Sequence, residues 1–463
     1  MRNFKYLYYP ILLLILNIAV VSCVDDDDME PDVIQPMNLV ELASSDDDLT
    51  SLVAALVAAD GDLPAALSGS NNYTVLAPSN EAFSTFLNQN GFSSLSEVPT
   101  DVLSQILLNH VISGRVASTD LTGAGSGYTN TLATGAGDMP MSLYFDTSNG
   151  VMFNGISTVT AADLNATNGI VHKVDAVIGL PTIVDHAVAN PNFSSLVGAL
   201  TTDGNTTFTD LLSTAGDFTV FAPLNDAFAS FTNPMANDLN AILANHVIVG
   251  ASVFSSDLTT GYVKTAAMMP MSNNYIDMYI NADNASLNGS SMVVLADVVA
   301  SNGVIHAVDQ VIDLPTVVTM ALADDTFSTL VAALTREDLQ TDFVSILNGM
   351  DMELYPFTVF APTNDAFGAL LTELELSGLG DIDEPTLSAT LMNHVVSGAN
   401  VLSTDLSNQM IVNTLDGMQT IDLTDGAKII DQNGRMANIV VVDVQTANGV
   451  IHVIDKVILP NLN

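Results

Sequence analysis

Residues 357–367 read FTVFAPTNDAF, a stretch that predicts a strand leading directly into a helix. Apolar residues alternate in its first half, as in a strand, and Pro362 ends the run. Asn364 then stands where a helix N-cap is expected, and Asp365 places negative charge at the positive end of that helix. The carboxylate of this stretch therefore has a structural task at a helix end.

The stretch occurs three times, and two other phrases repeat with it in the same order. Its other copies are YTVLAPSNEAF at 73–83 and FTVFAPLNDAF at 218–228, so the expected N-caps are Asn80, Asn225 and Asn364. An Asn-His phrase follows as NHVISG at 109–114, NHVIVG at 245–250 and NHVVSG at 393–398. An Asn-Gly turn then feeds a strand with a second histidine at 168–172, 302–306 and 448–452. The unit is about 135 to 145 residues long, the usual size of a domain with its own core.

A helix with one buried face precedes the strand in every copy. Apolar residues recur at the i, i+3, i+4, i+7 spacing, as Leu49, Leu52, Val53 and Leu56, as Phe193, Leu196, Val197 and Leu200, and as Phe327, Leu330, Val331 and Leu334. We therefore expect three helices to dock on their sheets in the same way.

Taken together, FTVFAPTNDAF, LMNHVVSG and NGVIHVID resemble the fasciclin, or FAS1, domain over nearly everything from Leu39 to Pro460. The resemblance implies an α+β fold in which each domain is a twisted β-wedge of about seven strands, a usual sheet size, flanked by short helices. It also implies adhesion or matrix binding at a cell surface. The expected domains are 36–180, 181–314 and 315–460.

The charge of the chain is strongly unbalanced. Its 463 residues include 52 Asp and Glu but only 9 Lys and Arg, which gives a formal net charge of −43 at pH 7. Such a surface repels phosphate backbones and offers few cations to neutralise them, so nucleic-acid binding is disfavoured. We expect it to attract cations instead, including weakly bound Ca²⁺.

The N-terminus predicts export and lipid anchoring. Residues 1–22 begin with basic residues followed by an apolar run that is short for a membrane-spanning helix, as in a signal peptide. Cys23 is the only cysteine, so it has no disulfide partner, and VVSC resembles a bacterial lipobox. The acidic residues of 23–35 predict a solvated tether and resemble the surface-export signal of Bacteroidetes-type lipoproteins. We expect an exported protein anchored to the outer membrane through Cys23 and exposed at the cell surface; an incidental cysteine is the alternative.

Six of the seven histidines lie in the repeated phrases and allow two interpretations, a metal site or a structural role. Zinc usually needs three or four ligands, whereas each repeat offers two histidines and no cysteine. The acids at a fixed spacing, Asp175, Asp309 and Asp455, are placed on the opposite strand face. We therefore interpret the motif residues as structural and predict no metal and no cofactor: Asn109, His110, His172, Asn245, His246, His306, Asn393, His394 and His452. Without a G-x-S-x-G motif or a catalytic cysteine, no enzymatic activity is predicted either.

Two further signals stand outside the shared pattern. His186 is interpreted as a packing variant, because Leu42 and Met320 take its place in the other copies. Paired methionines around a proline could bind Cu(I) through their thioethers or, alternatively, fill the core, at Met139 with Met141 and at Met269 with Met271.

The resemblance also suggests an adhesion surface. In some animal members of the family, adhesion involves a Tyr-His pair and an Asp-Ile pair before the Asn-Gly turn. Asparagine replaces the tyrosine in all three copies here, whereas the second pair survives as Asp163-Leu164, Asp297-Val298 and Asp443-Val444. The sequence thus favours a lipid-anchored adhesion protein that binds surface proteins or polysaccharides. An accessory lipoprotein that captures solutes or glycans is the alternative.

Overall fold

The computed structural model describes residues 36–204, 206–270, 272–349 and 354–461. The predicted signal peptide, Cys23 and the acidic tether lie outside the described residues. From Met37 onward the chain forms one compact unit. This unit contains three repeats, and in each of them the sheet has one apolar cluster beneath the helices and a second enclosed by its own strands.

The first repeat has six helices and seven strands among its described residues. The helices are α1 (Leu39–Ser44), α2 (Thr50–Ala58), α3 (Leu63–Ser68), α4 (Asn80–Gln89), α5 (Thr100–Leu108) and α6 (Ser118–Ala124). The strands are β1 (Tyr73–Pro78), β2 (Val111–Ser113), β3 (Ser126–Thr134), β4 (Pro140–Asp146), β5 (Met152–Phe153), β6 (Ser157–Ala166) and β7 (Gly169–Val174).

The second repeat has the same order of elements without the counterpart of α6. Its described helices are α7 (Ile183–Ala189), α8 (Ser194–Leu200), α9 (Thr207–Leu212), α10 (Asn225–Ser230) and α11 (Leu239–Ala244). Its strands are β8 (Phe218–Pro223), β9 (Val247–Val249), β10 (Gly261–Met268), β11 (Tyr275–Asn281), β12 (Ser286–Leu287), β13 (Ser291–Ala300) and β14 (Gly303–Val308).

The third repeat follows the second element by element. Its described helices are α12 (Val317–Ala323), α13 (Ser328–Leu334), α14 (Phe343–Asn348), α15 (Asn364–Glu373) and α16 (Glu384–Met392). Its strands are β15 (Phe357–Pro362), β16 (Val395–Ser397), β17 (Ile411–Thr414), β18 (Gly417–Asp422), β19 (Lys428–Ile430), β20 (Met436–Gln445) and β21 (Gly449–Ile454). The expected α+β architecture with seven strands per repeat is confirmed.

The three sheets share one topology. The first strand of each repeat lies between the last strand, with which it pairs in parallel, and the second strand, with which it pairs in antiparallel. The remaining strands follow one another as an antiparallel series. In the first repeat, a bridge between Ile112 of β2 and Thr131 of β3 closes the series into a barrel.

The glycine of each Asn-Gly turn is required by a close approach of two strands. A Cβ atom on Gly169 would lie 2.1 Å from the carbonyl oxygen of Tyr73, far inside van der Waals contact. The neighbouring Asn168 accepts a hydrogen bond from the amide of Leu39 (2.9 Å) and donates to the carbonyl of Leu67 (2.7 Å). The turn therefore joins the first helix, the third helix and the sheet, and Asn302 and Asn448 make the equivalent bonds.

The prediction that Asn80, Asn225 and Asn364 are N-caps is wrong by one residue. Ser79 caps α4 and Thr363 caps α15, each accepting from the third amide beyond it, while Leu224 precedes α10 without a side-chain cap. The asparagines reach the preceding helix instead. Asn80 accepts from the amide of Ser51 (2.8 Å) and donates to the carbonyl of Asp47 (2.9 Å). They therefore join two helices that lie about thirty residues apart in the chain.

Among the described residues, no single helix has the length and apolar composition to cross a membrane. One pair of helices, Val317–Ala323 with Asp325–Leu334, passes that test together, but it is bent by 98°.

Candidate functional site: motif residues and repeat joints

The histidine of each Asn-His phrase connects a helix end to the segment that closes the repeat. His110 is 1% exposed. Its Nε2 accepts a hydrogen bond from the amide of Ile178 (2.9 Å), so the ring proton is on Nδ1, which donates to the carbonyl of Ile106 (2.8 Å). The other repeats have the same pair of bonds, at His246 with Ile242 and Ile312, and at His394 with Thr390 and Ile458.

Burial makes these three rings neutral. It lowers the pKa of His110, His246 and His394 to about 4, against a smaller opposing effect of the helix carbonyl that each ring meets. Because backbone groups engage both ring nitrogens, neither nitrogen has a free lone pair for a metal ion.

The asparagine before each of these histidines is fully buried and is also engaged. Asn109 donates to the carbonyl of Gly179 (2.7 Å) and accepts from the hydroxyl of Thr131 (2.9 Å). Asn245 repeats this arrangement with Asp313 and Thr265. In the third repeat the donor comes from the next strand instead, because Gln419 on β18 donates to Asn393 (2.8 Å).

The second histidine of each repeat lies beside the aspartate of the predicted adhesion pair. His172 accepts from the amide of Asp163 (3.2 Å) and donates to the carbonyl of Val116 (2.9 Å). The carboxylate of Asp163 accepts from the amide and the hydroxyl of Ser118. No local sequence pattern indicates this proximity, because Asp163 and His172 are nine residues apart with the Asn-Gly turn between them.

The same network recurs in the other two repeats. Its members are Asp297, His306 and Ser255 in the second repeat, and Asp443, His452 and Ser403 in the third. Each aspartate has φ near +60°, a left-handed conformation at a point where the strand register shifts. Aspartate tolerates this conformation better than most residues do. The network therefore fixes a β-bulge on β6, β13 and β20.

The aliphatic members of the predicted adhesion pairs face inward. Val298 and Val444 are each 2% exposed and contribute to the helix-side cores, and Leu164 is partly buried against the core of the first repeat. The aspartates of these pairs are partly exposed, and their carboxylate oxygen atoms are engaged by the serines.

The described residues contain no group of three or more His, Cys, Asp or Glu side chains that could hold a metal ion. The two motif histidines of a repeat have separate backbone partners. Of the paired methionines, Met141 and Met269 are buried whereas Met139 is 42% exposed, and Met271 lies outside the described residues.

Comparison with known proteins identifies the repeats. The family model for the fasciclin domain matches three times, at residues 47–181, 191–315 and 325–460. The chain belongs to the fasciclin family. Its three FAS1 repeats thus share a fold in which the motif residues Asn109, His110 and His172, with their counterparts, connect backbone segments.

Several curated proteins are similar to this FAS1 chain. Human periostin is 24% identical over 91% of this chain and 47% of its own length. The pig transforming growth factor-beta-induced protein ig-h3 is 26% identical over 78% of this chain and 49% of its own length. Protein sll1483 of Synechocystis is 38% identical over 31% of this chain and 73% of its own length. The chain thus spans about half the length of the two animal relatives.

One solved structure with which the chain aligns is a FAS1 domain pair from the insect cell adhesion molecule Fasciclin I. The alignment has 20% identity and a TM-score of 0.36, and it covers 57% of this chain and 96% of the other.

The first and second FAS1 repeats meet in a joint that buries both polar and aromatic groups. The hydroxyl of Ser142 on β4 accepts from the amide of Val299 on β13 (2.9 Å). The ring of Tyr128 packs edge-on against His186, with 5.7 Å between the ring centroids, and the hydroxyl of Tyr128 accepts from Asn190 (3.3 Å). His186 thus contributes to this joint by packing, and the next joint has Met320 in its place.

The joint between the second and third repeats has the same arrangement, but several of its side chains are charged. Asp277 on β11 accepts from the amide of Gln445 on β20 (2.6 Å) and forms an ion pair with Lys264 (2.7 Å). Tyr262, at the position of Tyr128, donates to the carboxylate of Asp324 (2.7 Å). Burial raises the pKa of Asp277, and the neighbouring ammonium group of Lys264 opposes that rise.

Exposed aliphatic residues lie directly before two of the three bulges. Val440, Val441 and Val442 are 55%, 40% and 43% exposed before Asp443 of the third repeat. In the second repeat, Val294 and Leu295 are exposed before Asp297. Contiguous exposed apolar residues of this kind mark interaction surfaces more often than isolated ones do. In the third repeat, the sequence signal for this surface is the unbroken apolar run IVVV at 439–442, which does not alternate as a half-buried strand should.

Proposed function

We propose that the protein is a lipid-anchored adhesion protein of the cell surface. In this proposal Cys23 carries the lipid, residues 23–35 provide distance from the outer membrane, and the FAS1 repeats present the binding surface. The partners are surface proteins or polysaccharides. The motif histidines serve the fold, and the protein is not an enzyme.

The observation that carries the proposal is the exposed run Val440–Val442 beside the bulge at Asp443. Exposed valines lose contact with water when a partner covers them, and each buried apolar side chain then contributes to binding. The hydrogen-bond network of Asp443 holds the bulge in one conformation, so a partner meets a preformed surface. Family membership and the lipobox-like VVSC support the proposal independently.

The test compares attachment of cells that lack the gene with cells that carry the full chain or a variant. In the variant, Val440→Ser and Val442→Ser remove apolar surface at exposed sites, so the fold should be retained. The matched control carries Val57→Ser and Val249→Ser, two exposed valines outside the bulge strands. We expect the first variant to lose at least half of the attachment that the control retains.

Two outcomes would contradict the proposal. If the Val440→Ser, Val442→Ser variant attaches as well as the full chain does, the exposed run does not contribute to attachment. Unchanged attachment after deletion of the gene, together with impaired growth on a polysaccharide, would favour the glycan-capturing alternative.

A further inference from the structure

The third repeat contains an apolar cavity beneath its first three helices. Its volume is about 230 Å³, and it lies between α12, α13, α14 and the helix-side face of β15 and β21. The walls include Ala321 on α12, Val331 on α13 and Val344 on α14, while Val359 and Ile451 belong to the sheet. This space is separate from the exposed valines of the proposed adhesion surface.

An equivalent but smaller cavity exists in the second repeat. Its volume is about 90 Å³, and Ala187 and Val197 line it at the positions of Ala321 and Val331. Thr209 stands at the position of Val344, and His246 contributes to the wall. The arrangement of three helices over the sheet therefore creates the cavity in both repeats, and the side chains determine its size.

The lining of the larger cavity is unsuited to water. It consists of aliphatic and aromatic side chains with Thr335, and it contains no ionisable side chain. A buried water needs two to four polar partners, and an apolar cavity of about 150 Å³ is known to stay dry and to bind benzene. The cavity of the third repeat exceeds that size, so it has room for an apolar molecule larger than benzene.

The cavity also has a route to solvent. Leu322 on its edge is 63% exposed, and Val318, Val331 and Val344 are partly exposed, so these side chains lie between the cavity and the surface. Rotation of such side chains is fast compared with opening of a core. A ligand can therefore enter without unfolding of the repeat.

We propose that this cavity of the third repeat binds an uncharged apolar molecule of the size of a substituted benzene or a short alkyl chain. A charged ligand is disfavoured, because the lining offers neither a counter-ion nor hydrogen bonds to replace lost hydration. The proposal is independent of adhesion, and adhesion can fail while ligand binding holds.

The experiment uses the fragment from Pro36 to Asn463, which contains the compact unit and all the core clusters of the three repeats. Toluene is added to the methyl-labelled fragment, with benzoate as the charged comparison of similar shape. We expect toluene to raise the melting temperature progressively as its concentration exceeds Kd, and to give nuclear Overhauser effects to the methyl groups of Val331 and Val344. Benzoate should do neither.

Two matched substitutions locate the site. Ala321→Phe fills the cavity from its wall and should reduce toluene affinity at least tenfold. Ala332→Phe adds the same ring at an exposed position of α13 outside the cavity and should leave affinity unchanged. If Ala321→Phe prevents folding, Val344→Phe replaces it, because Val344 is also partly exposed and lines the same space.

Three results would overturn the proposal. They are the absence of any toluene effect on the methyl groups of the third repeat, equal effects of toluene and benzoate, and full affinity in a folded Ala321→Phe variant.

Discussion

His186 is a weak point in the joint between the first and second repeats, because its buried polar atoms lack partners. It is fully buried, and neither of its ring nitrogens has a hydrogen-bond partner of normal geometry. Burial lowers the pKa of His186 to about 4, and the weak interaction with the Val299 backbone opposes this only in part. The ring is therefore neutral at pH 7. Met320 fills the same position in the next joint without polar atoms.

Replacing His186 with methionine should therefore stabilise the protein. The substitution removes two unsatisfied buried nitrogens and keeps an apolar side chain that the equivalent joint already accommodates. We expect the free energy of unfolding at pH 7 to rise by about 1 to 2 kcal/mol, as measured by urea denaturation. Loss of stability in this variant would show that the imidazole makes a favourable contact in the joint.

The gain from His186→Met should also depend on pH. The folded pKa of His186, about 4, lies below the value of 6.5 for a free imidazole, so the unfolded chain binds the proton more tightly. The contribution of the neutral His186 ring to the stability of the unmodified protein is thus fully present above pH 6.5, and it is lost as the pH falls toward 4. Methionine has no such dependence, so its advantage should grow by about 3 kcal/mol over that range. An advantage that is constant with pH would contradict the buried neutral ring.

At the scale of secondary-structure elements, the two joints allow a direct comparison of neutral and charged contacts. Ser142 and Asp277 occupy equivalent positions on β4 and β11, and each accepts the amide of an equivalent residue on the following repeat. Met418 on β18 stands at the same position of the third repeat, where it is 57% exposed. No described repeat follows it.

Removing the hydrogen-bond acceptor at either joint should lower the free energy of unfolding. The loss should be larger where more polar groups lose their partner. Asp277→Ala leaves the buried amide of Gln445 without an acceptor and Lys264 without its ion pair, so we expect a loss of about 2 kcal/mol. Ser142→Ala should cost about 1 kcal/mol. Met418→Ala is the control and should stay within about 0.5 kcal/mol of the unmodified protein. Equal effects of all three in urea denaturation would show that the joints contribute nothing specific.

The sequence predicted the elements of each repeat better than their connections. The alternation in FTVFAP and the Asn-Gly turns identified the strands, because both signals are local. The role of Asn80 was misassigned, since capping rules consider neighbours within three residues and its partner Ser51 lies 29 residues away. The proximity of Asp163 to His172 depends on strand pairing across a hairpin. The contact between Tyr128 and His186 depends on how two repeats meet, which no local pattern encodes.

At the scale of the whole molecule, the lipid anchor is testable without reference to the fold. Cys23 is the only cysteine and has no disulfide partner in the chain. We expect Cys23→Ala to abolish palmitate labelling and to move the protein from the membrane fraction to the soluble fraction, because acylation supplies the membrane affinity. Ser22→Ala, beside the cysteine, is the control and should retain both. Palmitate labelling that persists in Cys23→Ala would exclude this anchor.

The net charge of −43 should govern how copies of the molecule approach one another. Calcium reduces the repulsion between acidic surfaces more than a monovalent cation does at equal ionic strength. We therefore expect light scattering by the fragment Pro36 to Asn463 to report more self-association with calcium chloride than with sodium chloride. Equal association in the two salts would contradict a role for multivalent cations.

The claim that connects all three scales is that the residues repeated three times hold the fold together and do not form a metal or catalytic site. Elemental analysis of the fragment Pro36 to Asn463, combined with thermal melting, tests it most directly. We predict no stoichiometric transition metal and no effect of a chelator, while His246→Ala, which loses its bonds to Ile242 and Ile312, is destabilised by about 2 to 4 kcal/mol. Stoichiometric zinc or copper that disappears with His246→Ala would contradict the account.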